Sequence, residues 1–253
     1  MKILRLILYR TFGLESYLKI ISKVYITLIR LGAFKKKYAE LHFLSKLIRE
    51  GQTCIDIGAN LGYYSYFLCK LVGKNGKVFA VEPVPVFSEV LLKNIPARCK
   101  QRFKLLPYAL GMENKSILMG MPVVEGIIHH GMTHVISEDE RPRIEKTFSV
   151  EMKRPDMLFS NLQALHYIKC DVEGYEYWVF SSMTEILSLF KPVVQCELGS
   201  ENKQRTIELF CNLGYEIFIL SGNKLIKQNI QQVINYPNDV YFIHPGTNNY
   251  LSN

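Results

Sequence analysis

The sequence predicts an α/β fold built on one doubly wound, mostly parallel sheet of seven strands. After residue 50, short apolar runs rich in Val, Ile, Tyr and Phe alternate with stretches of helical character. The first run ends in a turn with two glycines, as strand-to-helix turns of such sheets often do. With 253 residues, 48% of them hydrophobic, the chain can also bury one sizeable core.

Residues 1–50 form a basic arm with 11 Lys and Arg against three Asp and Glu, a net charge of +8 that equals the charge of the whole chain. Polar residues recur at helical spacing, which predicts an amphipathic helix: Glu15, Lys19, Lys23, Thr27 and Arg30. A second short helix is expected over 38–50. We favour packing of the apolar face on the domain or on a second subunit. The alternative is contact of residues 1–37 with an anionic membrane surface.

Seven runs within the predicted domain, 51–253, are the candidate strands: 53–57, 77–82, 103–109, 166–171, 192–198, 215–220 and 239–244. About 18 residues separate the last two, so an antiparallel, hairpin-like edge is expected there. Residues 110–156 break the alternation and are predicted to be a variable insertion on the substrate side. Within this insertion, "KSILMG" and "FSVEM" are candidates for an extra strand pair.

The turn in "TCIDIGANLGYY" (53–64) places Asp56, Gly58, Asn60 and Gly62 at the end of the first strand. Such a turn is expected to present free backbone N–H groups at the carboxyl edge of the sheet, where nucleotide-like ligands bind. It lacks the Gly-Lys-Ser/Thr of a phosphate loop and departs from the dinucleotide pattern G-x-G-x-x-G. Because Asp56 would repel a pyrophosphate, the turn favours a ligand that presents a cation.

Glu82 and Pro83 end the second strand, where dinucleotide folds place a carboxylate that binds the ribose hydroxyls. S-adenosylmethionine carries a ribose, an amino group and a sulfonium, but no phosphate. The two strand ends together therefore favour S-adenosylmethionine over NAD. Tyr63, at the turn, is a further candidate for the cofactor pocket.

Five segments in order resemble the motifs of FkbM-type methyltransferases: "CIDIGANLGYYSYFL", "VFAVEPVPVFSEVLLKNI", "LLPYALG", "YIKCDVEGYEYWVF" and "PVVQCELGS…LFCNLGYEIF". The resemblance implies the Rossmann-like class I methyltransferase sheet, with S-adenosylmethionine across the first two strands. It also implies O-methylation of sugars, glycans or polyketide-derived hydroxyls. The predicted cofactor-binding residues are Asp56, Gly58, Asn60, Gly62, Tyr63, Glu82, Pro83 and Ala109.

Asp171 ends the fourth strand at the edge where open α/β sheets bind ligands, which makes it the first candidate for the methyl-transfer centre. Glu197 occupies the equivalent place after the fifth strand. Glu173 and a loop histidine, His134, are further candidates. A magnesium ion at Asp171 and Glu197 would resemble catechol-type O-methyltransferases, but Leu198 and Gly199 stand where those have Asn. We therefore predict no metal site and keep magnesium as the less favoured arrangement.

The sequence thus predicts an S-adenosylmethionine-dependent methyltransferase that modifies a hydroxyl of a saccharide, glycan or related metabolite. The alternatives are an RNA methyltransferase and a non-catalytic Rossmann-like nucleotide-binding or scaffold protein. Nucleic acid is the less favoured partner, because aromatic and basic residues are not interleaved as in single-strand binding platforms. Six scattered cysteines without a C-x-x-C pair indicate a reducing compartment. We expect a cytoplasmic protein, in one interpretation at the inner face of the membrane, with a homodimer as a further expectation.

Overall fold

A computed structural model describes residues 2–124, 127–137, 139–141, 144, 146–199 and 202–250, with side chains from residue 8 onward except at 123, 124, 127, 128 and 248–250. Parts of the predicted arm, insertion and domain therefore lie outside the described residues. They are residues 1, 125, 126, 138, 142, 143, 145, 200, 201 and 251–253.

Fourteen strands and nine α-helices are present in the described part of the chain. The strands are β1 (Thr53–Ile57), β2 (Lys77–Val81), β3 (Phe103–Leu106), β4 (Ala109–Leu110), β5 (Lys115–Met121), β6 (Val123–Val124), β7 (Ile127–Ile128), β8 (His134–Val135), β9 (Lys146–Lys153), β10 (Tyr167–Cys170), β11 (Val193–Cys196), β12 (Glu216–Ser221), β13 (Lys224–Gln228) and β14 (Val240–Ile243). The helices are α1 (Lys2–Arg30), α2 (Ala39–Leu47), α3 (Tyr63–Leu71), α4 (Pro85–Asn94), α5 (Pro155–Leu158), α6 (Glu176–Ser181), α7 (Thr184–Phe190), α8 (Lys203–Asn212) and α9 (Ile230–Val233).

The main sheet has eight strands in the order β13-β12-β14-β11-β10-β1-β2-β3. Strands β3, β2, β1, β10 and β11 pair in parallel, and β14 runs antiparallel to both of its neighbours. The chain reverses direction across the sheet at β1, so the loops after β1 and β10 open a crevice at the carboxyl edge. Buried side chains cover both faces: Ile55, Ile168 and Val194 on one, and Cys54, Tyr167 and Val193 on the other.

All seven predicted strands belong to this sheet, but the predicted count is one too low. The missing strand is β13, whose charged and polar residues look like a loop in the sequence but are common on an exposed sheet edge. The antiparallel pairing of the last two predicted strands is confirmed. Their placement at the edge is wrong, because β14 lies inside the sheet and β12 forms the edge hairpin with β13.

The predicted insertion forms a second sheet in the order β4-β9-β5-β8. The predicted pairing of "KSILMG" with "FSVEM" is confirmed, since Ile117 lies opposite Val150 in the antiparallel β5–β9 ladder. A short β6–β7 ladder stands beside it. The described residues of the insertion thus form a sheet of their own, and several of them line the cavity described below.

The arm packs against the domain. Tyr17, Leu18 and Ile21 of α1 are buried in one cluster with Phe87 and Val90 of α4. At the same contact, Asn94 Nδ2 donates hydrogen bonds of 2.9 Å to Ser22 Oγ and to the carbonyl of Leu61. This is the packing that we favoured for the apolar face.

Two further observations concern the arm. Gly13 (φ 72°) kinks α1, and Glu15 pairs with Lys19 and, at 3.1 Å, with Lys93.

Within the described ranges, we find no helix with the length and hydropathy needed to span a bilayer.

Candidate active site

A cavity of about 720 Å³ opens at the carboxyl edge of the main sheet. Its walls come from the ends of β1, β2, β10 and β11, from the second sheet and from the arm. It brings together ten of the predicted site residues: Asp56, Gly58, Asn60, Tyr63, Glu82, Pro83, Ala109, Asp171, Glu173 and Glu197. Gly62 and His134 are not among its lining residues.

Gly58 is the point where two strand ends meet. It has a φ of +76°, and a Cβ built on it would lie 1.8 Å from the backbone oxygen of Asp171. Only a residue without a side chain allows this approach. Gly58 therefore holds the end of β1 against Asp171, the first candidate for the methyl-transfer centre.

Four backbone N–H groups of the turn, those of Gly58, Ala59, Asn60 and Gly62, are not free, and for them that expectation is wrong. The amides of Gly58 and Ala59 both donate to the carbonyl of Val81 at 3.0 Å, and the amide of Asn60 donates to Glu82 Oε2 at 2.8 Å. Gly62 donates to the carbonyl of Ala59. A turn whose amides are used internally is a poor anion cradle, which agrees with the prediction of a ligand without phosphate near Asp56.

Glu82 and Asn60 offer buried acceptors to a ligand. Glu82 is 4% exposed, and each of its carboxylate oxygens accepts one backbone N–H at 2.8 Å, from Val84 and Asn60, which leaves each oxygen capacity for another donor. Burial raises the pKa of Glu82 to about 7, against the opposing effect of these hydrogen bonds. Asn60 Oδ1 is buried and has no hydrogen-bond partner in the described part of the chain. These unused acceptors fit the ribose hydroxyls and the amino group of S-adenosylmethionine.

Asp56 links the turn to the next helix. Its Oδ2 accepts a 2.6 Å hydrogen bond from Ser65 Oγ of α3. Burial raises its pKa to about 6, although the Ser65 hydroxyl and the charge of Lys169 favour the ionised form. Asp56 therefore has a structural role in addition to its place on the cavity wall.

Gly62 acts through packing. It precedes α3 with a φ of +83°, and an added Cβ would lie 3.0 Å from Leu91 Cγ of α4. The residue lets α3 start close to α4, so any influence on a ligand is indirect. Tyr63, the next residue, lines the cavity as predicted.

Acidic side chains gather where β10 and β11 end. Burial raises the pKa of Asp171, while Lys169 and a side-chain hydrogen bond from Glu197 oppose the rise. Burial and the nearby charge of Asp171 raise the pKa of Glu197 to about 7. Glu173 and Glu197 are exposed, Asp171 is half-buried, and Glu173 takes a left-handed φ of 51°. Desolvation and the Asp171 charge raise its pKa too. The two groups act on each other, since a side-chain hydrogen bond from Glu197 favours the ionised form of Asp171 and the charge of Asp171 raises the pKa of Glu197. Two carboxyl groups that interact in this way tend to share one proton.

Lys169 and Asp239 are site residues that the sequence analysis missed. Lys169 is 2% exposed, and its Nζ lies 3.3 Å from Asp239 Oδ2. Desolvation lowers its pKa, but the negative charges of Asp239, Asp171 and Glu197 outweigh that effect and raise it. Gln195 Nε2 also donates to Asp239. A lysine inside the apolar run "YIKC" was the available signal, because a buried lysine needs a carboxylate partner.

Glu176 looks in the sequence like a surface residue at the start of a helix, but it is 1% exposed. Its carboxylate accepts from the amides of Gly174 at 3.0 Å and Gly199 at 3.3 Å. It therefore ties the loop after β10, which contains Asp171, to the loop after β11, which contains Glu197.

The histidines do not converge on the acid pair. His134 Nδ1 lies 2.9 Å from the carbonyl oxygen of Met132, whereas His130 is the histidine that lines the cavity. The carbonyl of His130 accepts a 3.2 Å hydrogen bond from Asn60 Nδ2. Across the residues that the structure describes, no group of three or more His, Cys, Asp or Glu side chains is arranged to hold a metal ion.

The arm contributes directly to the site, which its composition did not indicate. The cavity lining includes residues at the end of the α1–α2 turn and the start of α2: Lys36, Lys37, Tyr38, Glu40 and Leu41. Pro237 and Asn238, which precede β14, also line the cavity. The basic arm is therefore part of one wall of the candidate active site.

Comparison with known proteins identifies the class. The model of the methyltransferase FkbM domain matches residues 56–217, more than half of the chain. The fold is that of class I methyltransferases, and the chain belongs to the FkbM methyltransferase family. S-adenosylmethionine is the cofactor that this family implies.

Two solved structures are similar to this chain. A putative rRNA methylase from Clostridium thermocellum superposes with a TM-score of 0.50 and 13% identity, over 81% of this chain and 93% of that one. The methyltransferase FkbM from Methylobacillus flagellatus KT gives a TM-score of 0.49 and 15% identity, over 76% of this chain and 43% of that one.

Curated relatives match over short segments. Protein-L-isoaspartate O-methyltransferase 1 of Archaeoglobus fulgidus is 32% identical over 73 residues, 29% of this chain and 28% of that protein. The ribosomal RNA large subunit methyltransferase E of Buchnera aphidicola is 36% identical over 50 residues, 20% of this chain and 24% of that protein. The chain thus spans less than a third of the length of these relatives.

Proposed function

We propose that the protein transfers the methyl group of S-adenosylmethionine to a hydroxyl of a saccharide, glycan or related metabolite. The observation that carries this proposal is a single cavity with two chemically different regions. One region holds Glu82 and Asn60, whose unused acceptors suit the cofactor. The other holds the Asp171–Glu197 pair, which suits the activation of a hydroxyl.

The proposed chemistry assigns separate tasks to these residues. S-adenosylmethionine, when bound, supplies an already activated methyl group, so the protein must chiefly orient the acceptor oxygen. Lys169 favours the ionised form of Asp171, while Glu197 carries the proton shared by the pair. Ionised Asp171 then removes the hydroxyl proton as the new bond forms, a contribution of typically ~10²–10⁴-fold in rate.

Calorimetry tests the cofactor assignment. S-adenosylmethionine and S-adenosylhomocysteine are expected to bind, and NAD is not. Binding of NAD alone would indicate a dinucleotide site, and binding of none of the three would favour a non-catalytic scaffold.

A panel of acceptors tests the substrate class. Methyl transfer is measured with nucleotide sugars, glycolipids, small alcohols and tRNA. The saccharide-type acceptors are expected to be methylated. Transfer to tRNA alone would replace the proposal by an RNA methyltransferase, the activity named for one relative and one structural neighbour.

Exhaustive treatment with EDTA separates proton removal by Asp171 from the magnesium alternative. In our proposal, turnover is unchanged by EDTA and by added magnesium. A loss of turnover that magnesium restores would instead assign Asp171 and Glu197 as ligands that orient and acidify the acceptor hydroxyl.

Membrane contact and a homodimer stay predictions for the arm. The described outer side of α1 and the following turn exposes Ile20, Val24, Leu31 and Phe34, at 38%, 50%, 78% and 42%. Flotation with liposomes, with and without anionic lipid, measures membrane contact. Sedimentation of the same protein measures its oligomeric state.

A further inference from the structure

The turn between α1 and α2 is built in an unusual conformation. Gly32 has a φ of +80°, and Phe34 has a φ of +58°, a left-handed conformation that is rare for a bulky side chain. Such strain persists only where the surroundings hold it. Here the Phe34 ring stacks on Tyr25 at 6.0 Å between centroids and meets Tyr38 edge-on at 6.3 Å. The turn is thus fixed by an aromatic cluster.

This fixed turn places two of its three consecutive lysines at the cavity. Lys36 and Lys37 line it, whereas the adjacent Lys35 does not. Lys37 Nζ lies over the rings of Tyr38 and Tyr25, 5.3 and 5.8 Å from their centroids. Of three neighbouring lysines with the same side chain, two therefore line the cavity and one does not.

Lys36 and Lys37 differ in their ionic partners from the third lysine of the cavity, Lys169. Among the described residues, neither makes an ion pair, although the cavity wall also contains several carboxylates. Lys169, the buried lysine of the same cavity, is by contrast paired with Asp239. Two unpaired cations in a concave wall attract a negatively charged ligand group.

We propose that Lys36 and Lys37 form a subsite for a phosphate or similar anionic group on the methyl acceptor. The inference rests on the proposed function and narrows its substrate class to hydroxylated molecules that also carry such an anion. The acid pair would contact the hydroxyl to be methylated, and the lysines would bind the anion from the arm side. A nucleotide sugar and a lipid-linked sugar phosphate both have this chemistry.

The cofactor does not account for these lysines through a phosphate, since S-adenosylmethionine has none. Its carboxylate is the rival ligand for Lys36 and Lys37. Measurement of cofactor affinity distinguishes the two ligands. If the lysines bind the cofactor carboxylate, their replacement weakens cofactor binding, whereas if they bind an anion of the acceptor, cofactor affinity is unchanged.

The test compares Lys36→Gln/Lys37→Gln with the matched control Lys35→Gln. Calorimetry measures the binding of pyrophosphate, UDP-glucose and a short-chain isoprenyl phosphate glucose, with and without saturating S-adenosylhomocysteine. We expect the double variant to bind at least one of these probes about tenfold more weakly than wild type, and Lys35→Gln to stay within about twofold. Tighter binding of UDP-glucose indicates that the anionic acceptor is a soluble nucleotide sugar. Tighter binding of the isoprenyl compound indicates that it is a lipid-linked sugar phosphate.

Three outcomes overturn the inference: no anion binding by wild type, equal losses in both variants, or a tenfold loss of S-adenosylhomocysteine affinity in the double variant. Failure of the proposed function looks different. In that case wild type does not bind S-adenosylhomocysteine, while binding of the anionic probes still depends on Lys36 and Lys37.

Discussion

Replacement of Gly58 by Ala tests the close contact between the end of β1 and the backbone of Asp171. The added Cβ would lie 1.8 Å from the Asp171 carbonyl oxygen, and real Cβ contacts are at least 3.0 Å, so the two strand ends must separate by about 1.2 Å. The left-handed φ of +76° adds about 1–2 kcal/mol for any residue with a Cβ. We expect a total loss of about 3 kcal/mol or more in the free energy of unfolding.

Gly222→Ala is the matched control. Gly222 also has a positive φ, +60°, but an added Cβ there meets nothing within 4 Å. It therefore reports the backbone cost of about 1–2 kcal/mol without the collision. Trp178, the only tryptophan of the chain, lies in α6 just after the Asp171 loop and reports unfolding by fluorescence in denaturant.

The expected order of stability is wild type, then Gly222→Ala, then Gly58→Ala. Where Gly58→Ala stays folded, displacement of the Asp171 backbone should also reduce methyl transfer. Equal destabilisation of the two variants would refute the close approach of β1 and β10 at Gly58. Normal turnover by folded Gly58→Ala would show that the position of Asp171 does not limit the reaction.

Four further predictions concern charged groups of the site. Glu82→Ala should weaken S-adenosylhomocysteine binding by ~1–3 kcal/mol in calorimetry, because charge-assisted hydrogen bonds are lost; unchanged affinity contradicts a ribose contact. Burial raises the pKa of Glu82 in the folded protein to about 7. The protonated side chain therefore stabilises the fold fully below the pKa of Glu82 in the unfolded chain, and this stabilisation is lost as the pH rises through about 7. Unfolding free energies measured from pH 4 to 8 should therefore fall, and Glu82→Gln should flatten the curve. Asp171→Asn should bind the cofactor normally and lose ~10²–10⁴-fold in kcat; a wild-type rate excludes a catalytic role. Asp239→Asn should lower the free energy of unfolding by ~3–5 kcal/mol, because it removes the carboxylate that pairs with buried Lys169. In denaturant unfolding, the double variant Lys169→Met/Asp239→Asn should recover part of that loss.

The loops that contain Asp171 and Glu197 are joined to each other through Glu176. Glu176 is buried and receives amides from both loops, so the spacing of Asp171 and Glu197 does not depend on either loop alone. Lys169 lies beneath the pair and is itself fixed by Asp239. Removal of any one of these supports should alter the ionisation of the pair as well as stability.

The sequence by itself determined the features that local pattern encodes. The alternation of apolar runs and helical stretches predicted the seven strands. A parallel sheet is buried on both faces, so its strands are continuous apolar runs that can be recognised in the sequence. Asp56, Gly58, Glu82 and Asp171 could be predicted to lie together because strand ends are recognisable in the sequence, and the structure places all four in the lining of one cavity.

Only the tertiary structure decided which distant groups meet. Nothing local indicates that Lys169 pairs with Asp239, that Lys36 and Lys37 face the cavity while Lys35 does not, or that the turn uses its own amides on Val81 and Glu82. His134 was a reasonable candidate by composition, yet its short strand β8 places it outside the cavity lining. The physical reason is common to all of these cases. The sequence offers several chemically equivalent partners for a buried charge, for a backbone amide and for a lysine on a turn. Tertiary packing brings one of these partners close, through the contact of α1 with α4 and the position of β14 between β11 and β12.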